Sequence, residues 1–227
     1  MRWRRIFVPA AALIISACAA QTAVNIVSEE YETDYSEVSM QILEIDIPEA
    51  KEFSEAYNAE LRQEAEDTAA GFDAEAKEVA GEIGQKSVLQ TTQDVKYNKN
   101  DFISAVEEQY TYTGGAHGMT LRKTRNIDTL AQKEILLGDL FAEEGYEETL
   151  NRMIRELREK KPEEYSELWA EPVIKPEQDF YITDTDLVIY YQPYELSYYA
   201  RGFVEFPLRL SELRGYMKEE YYRLITE

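Results

Sequence analysis

The only histidine, His117, lies in the string Tyr112-Thr113-Gly114-Gly115-Ala116-His117-Gly118. An imidazole does acid–base or metal work only with companions: a nucleophile, an orienting carboxylate, or further His and Cys ligands. The sole cysteine, Cys18, stands near the start, so the body of the chain is expected to hold no disulfide and no thiolate metal site. His117 is therefore read as the support of a turn. Gly114, Gly115 and Gly118 allow positive φ or close backbone approach, and the ring can hydrogen-bond across them. No Gly-x-Ser-x-Gly elbow, phosphate loop or dinucleotide fingerprint occurs. With 45 carboxylates, chance pairs suited to glycoside hydrolysis abound, so counting acids supports no particular site. The expectation is a binding protein, not an enzyme, with no cofactor and no metal; an unrecognised hydrolase is the weakest alternative.

The second concentration of usable side chains is Tyr181, Tyr190, Tyr191, Tyr194, Tyr198 and Tyr199. Tyrosines in strand-like runs pack half-buried on a sheet. Tyr194, Tyr198 and Tyr199 instead follow Pro193 in a loop, where amphipathic rings serve as interface anchors. Glu195 is expected to accept from backbone donors beside them. Gly114, Gly115, His117, Tyr194, Tyr198 and Tyr199 are the candidate partner-binding residues.

Formal net charge is -21. Loss of residues 1–17 removes Arg2, Arg4 and Arg5, leaving 21 basic against 45 acidic residues, or -24. Such a surface repels nucleic acid and anionic lipid and attracts cationic proteins, although acidity also serves solubility alone. Residues 1–18 combine a basic start, an apolar stretch from Ile6 to Ile15 and the small residues Ser16 and Ala17 before Cys18. Ten residues rise about 15 Å as a helix, roughly half a bilayer, so this stretch reads as a signal peptide. Ile15-Ser16-Ala17-Cys18 resembles a bacterial lipobox, which implies lipidation at Cys18 and a membrane-anchored lipoprotein facing outside the cytoplasm.

These side chains must be carried on ordered elements. Val38, Met40 and Ile42 alternate as in a strand, with an irregularity near Leu43. Phe53, Tyr57, Leu61 and Ala65 recur at helical spacing, Gly71 is expected to interrupt, and Gly81 and Gly84 close the segment. Strands are expected at 87–97, 102–112 and 119–127, with a turn at 98–101. Leu150, Met153, Ile154 and Leu157 mark a helix. Strands follow at 180–182, 187–191 and 203–207, and Ser211 is expected to cap a last helix. This order predicts an α+β fold, a mostly antiparallel sheet packed by amphipathic helices.

Two strings carry a family resemblance. One runs from Tyr112 to Gly118, through Asn126-Ile127-Asp128, to Leu137-Gly138-Asp139-Leu140-Phe141; the other runs from Phe180-Tyr181-Ile182 through Gln192-Pro193-Tyr194-Glu195 to Tyr199-Ala200-Arg201-Gly202. Together, over about residues 36–210, they resemble the extracytoplasmic domain pair of RsiV-type anti-sigma factors and PdaC-type peptidoglycan deacetylases. RsiV-type proteins add a cytoplasmic segment and a transmembrane helix, so an anti-sigma role is not expected; PdaC-type proteins add a deacetylase domain. The resemblance implies a stand-alone recognition lipoprotein that binds lysozyme or another cationic wall-active protein, or alternatively peptidoglycan or another wall glycan. The family's usual glycine after the Asn-x-Asp turn is replaced by Ala131-Gln132-Lys133, which puts that hairpin in question. The expected organisation is a signal peptide at 1–18, an acidic tether at 19–35, and two halves of the module at 36–126 and 127–227.

Overall fold

The computed structural model describes residues 22–142 and 145–227, apart from the side chains of Glu82 and Ile83. The signal peptide expected at residues 1–18, with Cys18, lies outside these residues. The chain divides into two compact units, one of residues up to Asp94 with Glu107–Arg122, the other of Val95–Val106 with Lys123–Glu227. The chain crosses from one unit to the other three times, after Asp94, Val106 and Arg122.

In the first unit the alternating stretch forms β2 (Ser36–Asp46), with Ile42 and Leu43 both buried where the alternation shifts phase. The acidic tether expected at 19–35 is corrected in part: Ala23–Glu32 forms strand β1, paired antiparallel with β2 from Ala23↔Asp46 to Glu32↔Glu37. Its acids mask a strand whose Tyr31 is buried and whose hydroxyl donates to the buried Glu29 carboxylate. Helix α1 (Lys51–Ile83) then runs without a break at Gly71. One internal glycine costs about 1 kcal/mol, which burial of Tyr57, Leu61, Ala69, Phe72 and Ala76 along one stripe outweighs. Gly84, at φ 64°, ends the helix. The helix is tied to strand ends: Asn58 accepts from Ile45 N (2.9 Å) and donates to Ile45 O (2.8 Å), and Ser36 donates to buried Asp73 (2.6 Å). It is the crossover that lets β3 (Ser87–Lys99) lie parallel to β2, with Ser36 opposite Ser87.

Asn100 and Asp101, both at positive φ (52° and 60°), form the two-residue link to β4 (Phe102–Tyr112). Positive φ at both central residues is the type I′ hairpin turn, which Asn and Asp tolerate. β5 (Met119–Asp128) and the short β6 (Lys133–Glu134) complete a six-stranded sheet ordered β1-β2-β3-β4-β5-β6, mostly antiparallel.

The second unit has α2 (Tyr146–Lys160), which buries Leu150, Met153 and Ile154, and a three-stranded antiparallel sheet of β7 (Phe180–Ile182), β8 (Asp186–Tyr191) and β9 (Val204–Arg209). Its core includes Phe102, Leu140, Ile189, Phe206 and Leu213. The last helix is not capped by Ser211. Ser211 lies inside the short α3 (Leu210–Leu213), a turn carries Met217 into a bridge with Phe141, and α4 (Glu219–Thr226) follows. Among the described residues, no helix is long and apolar enough to cross a membrane.

Candidate functional site

In the second unit, Asn126 is buried; its Oδ1 accepts from Ser104 Oγ (2.6 Å) and its amide donates to Phe180 O (2.9 Å). Ser104 Oγ accepts in turn from Ile182 N (2.9 Å). Asp128 accepts from Ala131 N (2.8 Å), and Gln132 takes φ 55°, filling with a side chain the left-handed position glycine usually holds. The hairpin survives the missing glycine, with Ile127 opposite Glu134. Asp139 accepts from Leu136 N (2.9 Å), while Leu137 and Leu140 are buried. The Asn-x-Asp string and the Leu-Gly-Asp-Leu turn thus do backbone work.

In the first unit, Thr113–Gly118 links β4 to β5. Gly114 and Gly115 sit at φ 104° and 97°. A Cβ on Gly118 would stand 2.4 Å from the Tyr110 ring and 2.5 Å from Thr111 O, so only glycine fits. His117 is exposed, and its Nδ1–H donates to Gly118 O (2.7 Å), since a carbonyl can only accept. Tyr112 donates to Gly115 O (3.1 Å). The ring braces its own turn. Among the described residues no group of three or more His, Cys, Asp or Glu side chains is placed to hold a metal ion.

The tyrosine run of the second unit separates by burial. Tyr181, Tyr190 and Tyr191 are core residues, and burial raises the Tyr191 phenol above its ordinary value. Tyr194 and Tyr198 are 47% and 43% exposed. Gln192-Pro193-Tyr194-Glu195 is a β-turn closed by Glu195 N donating to Gln192 O (3.1 Å). Proline at its second position and φ 71° at Tyr194 give it the type II signature, whose third residue is usually glycine. Glu195 also accepts from Gln192 N (2.6 Å) and pairs with Lys175. Tyr194 stacks on Tyr199 with ring centroids 5.7 Å apart.

A residue missed by sequence reading, Trp169, joins this loop. Its backbone N–H donates to Leu196 O (3.0 Å), Ser197 donates to Glu167 O (2.9 Å), and the Tyr198 hydroxyl donates to the Glu167 carboxylate, which holds the Tyr198 phenol above its usual value. Trp169 is 58% exposed. Its signal was available: a tryptophan in the aperiodic, Pro- and Glu-rich link from Pro162 to Asp179. The structure brings Tyr194, Tyr198 and Tyr199 together with Trp169 in one unit; Gly114, Gly115 and His117 belong to the other.

Residues 29–120 match the family model described as Deacetylase PdaC, and residues 138–211 match that of a protein of unknown function (DUF3298). The peptidoglycan-N-acetylmuramic acid deacetylase PdaC of Bacillus subtilis (strain 168) is 25% identical over 175 residues, covering 74% of this chain. The match spans only 38% of that protein. The crystal structure of a DUF3298 family member from Bacteroides fragilis superimposes with a TM-score of 0.69 at 15% identity, over 91% of this chain and 97% of that one. A second from Pseudomonas aeruginosa PAO1 gives 0.64 at 15% identity, over 90% and 96%. The chain matches, in order, a PdaC-type region and a DUF3298-type region, consistent with a PdaC-type domain pair.

Proposed function

We propose that this chain is an extracytoplasmic recognition module of the bacterial cell envelope, held to the membrane by lipid at Cys18, and that it binds and does not catalyse. The observation that carries the reading is Tyr194, an aromatic residue kept at φ 71° and 47% exposed in a turn that favours glycine. Strain retained at a ring that stacks on Tyr199 and still leaves about half its surface exposed points to a role in contact. The leading partner is a cationic wall-active protein such as lysozyme. A chain of net charge -21 draws a basic protein from a distance, and exposed tyrosines supply short-range affinity. Calorimetric titration of the full chain with a basic lysozyme at low ionic strength tests this. Saturable heat is expected; its absence removes the cationic partner.

A second reading, a wall glycan as ligand, is favoured by the relative whose name is that of a peptidoglycan deacetylase. Catalysis on that glycan has no support in the arrangement of side chains described above.

A further inference from the structure

Three carboxylates flank the exposed rings of the second unit, and each is already engaged. Glu167 lies 3.9 Å from Arg201 and accepts from Tyr198; Glu171 is 2.7 Å from Arg158; Glu195 pairs with Lys175. The acid groups of these segments are therefore fixed in place as hydrogen-bond acceptors. The rings themselves keep free donors. Among the described residues neither the indole N–H of Trp169 nor the hydroxyl of Tyr194 has a hydrogen-bond partner.

Two exposed rings with free donors, carried on segments that the Trp169 N–Leu196 O hydrogen bond joins, suit a hexopyranose. Its axial C–H bonds lie on an aromatic face while its hydroxyls exchange hydrogen bonds with phenol, indole and carboxylate. The charge of the chain selects further: at -21 an anionic polymer is repelled, and a neutral sugar is not. We infer that Trp169 and Tyr194 form a stacking site for a neutral pyranose oligosaccharide. This rests on the second reading above and adds to it the residues and the uncharged nature of the ligand. It also explains the turn. Glycine at 194 relieves the backbone but removes the face that the sugar covers.

The test uses the full chain in detergent carrying Trp3→Phe, which leaves Trp169 as the single tryptophan. Tetra-N-acetylchitotetraose is titrated while the emission of Trp169 is followed. A saturable change is expected, weakened about tenfold or more by Tyr194→Gly; Trp169→Phe, followed by calorimetry, weakens binding less than Trp169→Ala. Tyr194→Gly is also expected to raise the melting temperature, an outcome that a merely structural tyrosine does not give. No response to the sugar overturns the inference. A response that survives Tyr194→Gly and Trp169→Ala overturns the site while leaving the glycan reading standing. If both variants abolish lysozyme binding and the sugar gives no signal, the surface belongs to a basic protein and the inference fails.

Discussion

Replacement of Asn126 tests whether the Asn-x-Asp string is scaffolding. Asn126→Ala leaves the Ser104 hydroxyl without its acceptor at 2.6 Å and Phe180 O without its donor at 2.9 Å, both in a buried setting. Each buried polar group left unpaired costs about 1–3 kcal/mol, so the loss is about 4 kcal/mol. For a chain of this length that is roughly 8–16 °C in melting temperature. Asn126→Asp sharpens the argument. The new carboxyl accepts from Ser104 as before, but donates to Phe180 O only when protonated, so folding raises its pKa above the unfolded value. The folded state then binds the extra proton, and the deficit against wild type shrinks as pH falls through the raised pKa towards the ordinary carboxyl range. Thermal and urea unfolding followed by circular dichroism at pH 7 and pH 5 gives both results. A loss under about 1 kcal/mol for the alanine variant, within the range of neutral surface changes, refutes the reasoning.

Gly118→Ala forces a methyl to 2.4 Å from the Tyr110 ring and should cost about 1–3 kcal/mol in urea unfolding, more than Gly215→Ala, where nothing lies within 4 Å and φ is not positive. Gln132→Gly relieves a side chain at φ 55° and should stabilise by about 0.5–1 kcal/mol; destabilisation means that the left-handed position is not strained. Cys18→Ser should move the protein from the membrane to the soluble fraction on cell fractionation, and unchanged membrane partition contradicts the lipid anchor.

Much of the fold was legible because its periodicities are clean. Val38, Met40 and Ile42 mark β2, and Leu150, Met153, Ile154 and Leu157 mark α2, since each pattern reports a single buried face. β1 was not legible: Glu29, Glu30 and Glu32 dilute its alternation, and pairing with β2 supplies what propensity does not. Gly71 reads as a break from its local cost, yet the stripe from Tyr57 to Ala76 passes over it and tertiary packing decides. At the carboxyl end Gly215 divides what looks like one helix, so Ser211 caps nothing. At the candidate site the loop after Pro193 was legible from its tyrosines. Neither the left-handed Tyr194 nor the approach of Trp169 was: the first sits at a turn position that glycine usually holds, and the second depends on a pairing between segments some 25 residues apart, which periodicity does not encode.

The most direct measurement is the association rate of the full chain with a basic lysozyme across ionic strength. At low salt the net charge of -21 should lift the rate above the range of about 10⁵–10⁶ M⁻¹s⁻¹ for neutral partners. It should fall towards that range as the Debye length shrinks to about 8 Å at physiological salt. Tyr198→Ala should leave this salt dependence intact while speeding dissociation. An association rate that ignores salt, or no association at low salt, contradicts recognition of a cationic partner.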